Sequence, residues 1–183
     1  MKTLKKLFII CLALVAIFSC VSLVKVAAVD GDITSQQIDK ILSNCSSAKN
    51  TLNQLHASDA LLRVTMGQTY ESMSTKLMTR FNDRVSKNDL NNSSLVSITN
   101  NFNNALDNFR ADYITYEEHL SSVISMDCSK QPVSFYDAVS QARTERNRVH
   151  TDIIKLNQYV GQYQQAIVQL RSDYENINSG TVN

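Results

Sequence analysis

Apolar side chains recur in steps of three and four through three long stretches of this chain, and polar runs separate them. In the first stretch they fall at Ile38, Ile41, Leu42, Cys45, Ala48, Leu52, Leu55, Leu62, Met66, Met73, Leu77, Phe81 and Val85. That spacing places them on one stripe of a helix. Thr34-Ser35-Gln36-Gln37 has the form of a capping box, so the helix is predicted to open near residue 35 and to run to about 86. Asp59, Gly67 and Thr69 interrupt the stripe.

The run from Ser86 to Ser94 is rich in Asn, Asp and Ser, whose side chains compete with helical hydrogen bonding, and it reads as a turn. The cleanest seam follows over 94–127: Leu95, Ile98, Phe102, Ala105, Leu106, Phe109, Tyr113, Tyr116, Leu120, Val123 and Ile124. Its asparagines are modest helix formers, so this helix should depend on its neighbours. Pro132 cannot continue it. A third helix is predicted over 134–178, with Ser134 and Asp137 as an acidic variant of the capping box and Val133 as a staple. The expected fold is all-α, an elongated up-down-up antiparallel three-helix bundle forming one domain over 29–183.

Ahead of the helices, Lys2, Lys5 and Lys6 precede an apolar run from Leu7 to Val24 that closes on Val26-Ala27-Ala28. A basic head, an apolar middle and a small-residue end are the parts of a secretory signal peptide, with cleavage expected after Ala28. The alternative is an uncleaved anchor, since the apolar run approaches a bilayer span. Cys20 suggests a lipoprotein site, but Phe18 departs from that pattern. The expected location is therefore extracytoplasmic, whether secreted, periplasmic or cell-surface, with residues 1–28 as a membrane tether if they are retained.

Beyond that segment the charge balance changes. Four of the 18 basic residues (Lys2, Lys5, Lys6 and Lys25) lie within it and none of the 17 acidic ones, leaving 14 against 17, a net −3. No basic stripe stands out to meet a polynucleotide, so nucleic-acid binding is not expected.

Only Cys45 and Cys128 fall outside the N-terminal segment. Folding the first two helices back on the 86–94 turn puts both about 60 Å from it at 1.5 Å per residue. An exported chain with two cysteines at matched height is expected to join them in a disulfide. Two buried free thiols are the alternative.

Candidate chemistry is sparse. His56, His119 and His150 have no second histidine or cysteine at helical ligand spacing, so neither a metal nor a cofactor is expected. Glu117-Glu118-His119 reads as a solvated face, because adjacent helix positions diverge. Arg143, Arg146 and Arg148 form the densest charge cluster, with Arg148 expected to pair with Asp152 one turn on. A weak interaction patch is assigned to Tyr136, Arg143 and Arg146. Gly67 and Gly161 would mark a close helix approach or a bend. The Asn-x-Ser patterns at Asn44, Asn91 and Asn92 matter only in a host that glycosylates exported proteins. No acid–base or nucleophile set emerges, so no enzymatic activity is expected.

The stretches CSKQPVSFYDAVSQARTERNRV from Cys128 and GQTYESMSTKLMTRFNDRV from Gly67 resemble small secreted helical proteins of ultrasmall episymbiotic bacteria of the Saccharibacteria type. That resemblance implies an exported bacterial helical protein and assigns no functional residue. Taken together, the expectation is a structural or protein-interaction module at the cell envelope, with a protein partner there or self-association. The alternative is an extracytoplasmic chaperone-like or apolar-ligand-binding module.

Overall fold

The computed structural model describes residues 33–180, with side chains to 176; the expected signal segment lies outside the described residues. The described residues are all-α: α1 (Ser35–Ser72), a π-helical segment (Met73–Met78), α2 (Thr79–Lys87), α3 (Ser93–Ser125) and α4 (Pro132–Gly180). Backbone dihedrals stay right-handed helical across both ends of the π segment, so α1, π and α2 make one continuous rod. No described helix is long and apolar enough to cross a membrane.

Chain direction follows from cross-helix pairs. Cys45 meets Cys128, Tyr116 reaches Asp59 and Asn82 reaches Thr99, so numbers fall along α3 as they rise along the first rod. Arg146 to Asp59 and Asn157 to Tyr70 both span 87 residues, so α4 runs parallel to that rod. The three helices therefore run up, down and up.

Thr34 caps α1 as its sequence suggests: its hydroxyl accepts from the Gln37 N–H at 3.3 Å, and the Gln37 side chain accepts from the Thr34 N–H at 2.8 Å. The end of α2 is built differently from a glycine stop. Leu90 N–H donates to Val85 C=O at 3.2 Å and Asp89 N–H to Ser86 C=O at 3.0 Å, a Schellman closure. Asp89 takes the left-handed position, φ 56°, which Asp tolerates better than most residues. Leu90 then packs on the core.

α4 begins two residues earlier than expected. Pro132 occupies the first helical position, where its fixed φ suits the helix and its missing N–H costs nothing. Phe135 N–H donates to Gln131 C=O at 2.9 Å, so Gln131 stands where Ser134 was expected to cap. Val133, the expected staple, is 40 % exposed.

The seam of α3 is the spine of the core. Ten of its residues are buried, from Leu95 through Phe102, Phe109 and Tyr116 to Val123. In α1 only Asp59 and Tyr70 are buried. The stripe expected for the first rod also shifts near its end. Leu77 is 63 % exposed, whereas Tyr70, Ser74, Met78 and Asn82 face inward. Steps of four over-rotate an α-helix by about 40° each, and a wider π turn takes up the excess. That turn keeps the four-step series on the core.

Asn82 ties all three helices together. Its amide donates to Thr99 Oγ1 at 2.9 Å, its carbonyl oxygen accepts from the Tyr163 hydroxyl at 2.7 Å, and its main-chain oxygen accepts from Asn92 at 3.0 Å. A buried amide satisfied from two directions resists sliding of one helix past another. At the opposite end the Cys45 and Cys128 sulfurs lie within bonding distance, with Cα atoms 5.8 Å apart. Cys128 is fully buried there beside Val123, Phe135 and Ala142.

The two helix glycines do not sit at close approaches. A Cβ built on Gly67 or Gly161 meets nothing within 4 Å. The expectation of tight helix contact at these positions is therefore wrong; both glycines face open space.

Candidate functional site

Midway along the bundle α1 stands off from α4, and a cleft of about 270 Å³ opens between them over the aromatic face of α3. Phe109, Tyr113 and Tyr116 form its floor, with Met66 and Arg63 on the α1 side and Arg146 and His150 on the α4 side. Each is placed by helical spacing: Phe109, Tyr113 and Tyr116 are successive inward positions of the α3 seam.

Asp59, which the stripe makes look like an interruption, anchors this site. Its Oδ2 accepts from Arg146 Nε at 2.7 Å and from the Tyr116 hydroxyl at 2.8 Å, and its Oδ1 accepts from Arg146 Nη2 at 3.2 Å. Burial pushes the Asp59 carboxyl up, but the hydrogen bonds and charge of Arg146, with the Tyr116 hydroxyl, outweigh it and hold the pKa below the ordinary value. Such a carboxylate is a weak proton acceptor near neutrality. The geometry is that of an ion pair locking α1 to α4 and α3.

One turn away, Tyr113 donates to Glu117 Oε2 at 3.2 Å, and Glu117 also pairs with His56 of α1. Glu117 is thus engaged across the helix interface, and the solvated face expected for Glu117-Glu118-His119 does not include it. Burial, then the charge of Glu117, pushes the Tyr113 hydroxyl up to about 12, so it remains a donor. The Arg63 guanidinium lies 4.8 Å from the centroid of the Tyr113 ring. Tyr113 and Tyr116 meet edge to face, centroids 5.9 Å apart.

The expected patch of Tyr136, Arg143 and Arg146 divides. Tyr136 and Arg143 line a groove against the start of α1, with Lys40, Asn44 and Val139. Arg146 lies in the central cleft with its guanidinium on Asp59. The expected Arg148–Asp152 pair is also absent. Arg148 instead bonds the buried Glu145 at 3.0 Å. Asp152 faces Asp112 of α3; burial, then that neighbouring carboxyl, pushes its pKa up to about 6.

Among the described residues, no group of three or more His, Cys, Asp or Glu side chains gathers as metal ligands do. Compared with known protein families, with curated proteins and with solved structures, the chain matches none.

Sequence reasoning missed the Asp59–Arg146–Tyr116 centre and the His56–Glu117 pair. One signal was present. A charged residue in an otherwise apolar stripe needs a partner of opposite sign, and Arg146 lies on the face of α4 next to the seam.

Proposed function

We propose that this chain is a non-enzymatic, extracytoplasmic protein-interaction module acting at the cell envelope. The observation that carries this reading is the incomplete burial of α1. Over 38 residues it buries only Asp59 and Tyr70, while Leu61 is 70 % exposed and Leu62 and Val64 are each about half exposed. Apolar side chains gathered on one stretch of a stable helix favour a surface that meets another protein. The cysteine pair supports an oxidising compartment, and the N-terminal pattern supports export.

Photo-crosslinking from Leu61 and Val64 in intact cells tests the reading. A discrete protein adduct in the envelope fraction is the expected result, lost from the Leu61 probe in Val64→Asn and from the Val64 probe in Leu61→Asn. A free chain without adducts would contradict it.

A second reading, an extracytoplasmic chaperone-like or apolar-ligand-binding module, draws on the central cleft, whose wall and floor include Met66, Phe109 and Ile153. Native mass spectrometry of the protein from cells should then show a bound small molecule. An empty protein that also fails to suppress client aggregation contradicts this second reading.

A further inference from the structure

A second groove, of about 510 Å³, lies between the π segment with α2 on one side and α4 on the other. Its floor is apolar, with Met73, Leu77 and Phe81 facing Val160 and Ile167. Leu77 lies one residue before the buried Met78, which turns it roughly a quarter-turn from the core and onto the groove.

The lip is basic. Lys76, Arg80 and Arg84 recur in steps of four, all exposed, all lining the groove. None of them joins an ion pair among the described residues. Asp83 is the one carboxylate in that stretch, so three cations against one anion leave +2 over residues 76–84. The chain from residue 29 onward carries the opposite sign, at −3 (14 basic, 17 acidic). A local row of cations on an acidic protein draws an acidic ligand toward that one place.

We infer that this groove seats an acidic amphipathic helix of a partner protein, an inference that rests on the interaction-module reading and names the partner's chemistry. The form of the charge decides between occupants. Three cations in steps of four spread over roughly 12 Å along the rod. A helix laid along the groove offers carboxylates at i, i+4 and i+8 with that same repeat, and its apolar face at i, i+3 and i+7 meets Leu77 and Phe81. A bilayer presents a flat sheet of headgroups, which could meet the row of cations but would not fill a groove whose far wall is Val160 and Ile167. The π turn contributes by holding Met78 in the core while Leu77 stays outside.

The test uses the full-length protein and two labelled peptides of about 20 residues. One carries Leu at i, i+3, i+4 and i+7 with Glu at matching four-residue steps; the other has every Glu replaced by Lys. The acidic peptide is expected to bind at least about tenfold tighter, with the gap narrowing as salt rises. Lys76→Glu/Arg80→Glu/Arg84→Glu should reverse the preference, and Leu77→Asn should weaken both peptides. These positions are exposed, and an unchanged circular dichroism melt confirms that each variant is folded.

Equal binding of the two peptides, or a preference that the triple reversal leaves intact, overturns the inference. Binding to phosphatidylglycerol vesicles that depends on the same three cations, without peptide preference, assigns the groove to a membrane and overturns it too. Self-association lost in the triple variant does the same in favour of a second copy. If crosslinking from Leu61 captures an envelope protein while the peptides show no preference, only the groove assignment fails. If no adduct forms at all, the interaction reading fails first.

Discussion

Asp59 and Arg146, 87 residues apart in the chain, meet through two hydrogen bonds of 2.7 and 3.2 Å and lock α1 to α4 beside the central cleft. The carboxylate is nearly enclosed while the guanidinium is about half exposed, so the pair is asymmetric. Removing the arginine leaves a largely buried carboxylate that hydroxyl groups alone must satisfy. Arg146→Ala should therefore cost about 2 kcal/mol, a value tempered by the arginine's access to water. The sign with pH follows. A depressed carboxylate contributes stability above its unfolded pKa near 3.8, and that contribution is lost as pH falls through the lower folded value. The difference between wild type and Arg146→Ala in urea titrations should be largest near neutrality and should shrink in acid below that range.

Asp152 behaves in the opposite sense. Its folded pKa is raised to about 6 from 3.8, so the folded state favours the protonated carboxyl. Its contribution to stability is full below 3.8 and is lost as pH rises through about 6. Asp152→Asn, which cannot ionise against Asp112, should raise the melting temperature at pH 7 relative to wild type. The gain should fade as pH drops through the window between those two values. A gain independent of pH would show that the fold does not raise the Asp152 pKa.

Gly67 and Gly161 each face open space, so a methyl group can be added without displacing a neighbour. Gly67→Ala and Gly161→Ala should each stabilise the protein by up to about 1 kcal/mol through helix propensity and a less disordered unfolded chain. Chemical denaturation of the two variants checks this. Destabilisation at either position would mean that another chain or helix comes closer there.

The two ends of the bundle should respond differently to reduction. Cys45 and Cys128 close a separation of 83 residues, for which the chain-entropy argument gives about 4–5 kcal/mol before any strain. Asn82 holds the other end independently of the cysteines. In Cys45→Ser, hydrogen exchange should therefore accelerate first from Ser35 to Leu52, while amides around Asn82 and Thr99 keep most of their protection. Uniform acceleration along the chain would indicate a single cooperative unit instead.

Helix count, order and the α3 seam were legible because apolar spacing is a local signal, and α3 buries nearly every position its pattern marks. The Thr34 cap and the height of the two cysteines were legible for the same reason, since spacing and rise per residue fix both. What escaped depends on partners distant in sequence. Asp59 looks like a flaw until Arg146 is brought beside it, and Glu117 looks solvated until His56 faces it. Regular helical spacing puts Leu77 in the core; the π segment shifts the inward face to Ser74 and Met78. Helical spacing pairs Asp152 with Arg148, but Arg148 bonds the buried Glu145 and Asp152 faces Asp112 of α3.

The first rod and α3 double back so that Cys45 and Cys128 meet, and a disulfide forms between them where the compartment oxidises thiols. Non-reducing peptide mapping of the protein recovered from the cell envelope tests both parts at once. A single cross-linked peptide pair containing Cys45 and Cys128, with neither thiol alkylated until reductant is added, is the predicted result. Two freely alkylated thiols at these positions in freshly isolated protein would contradict it.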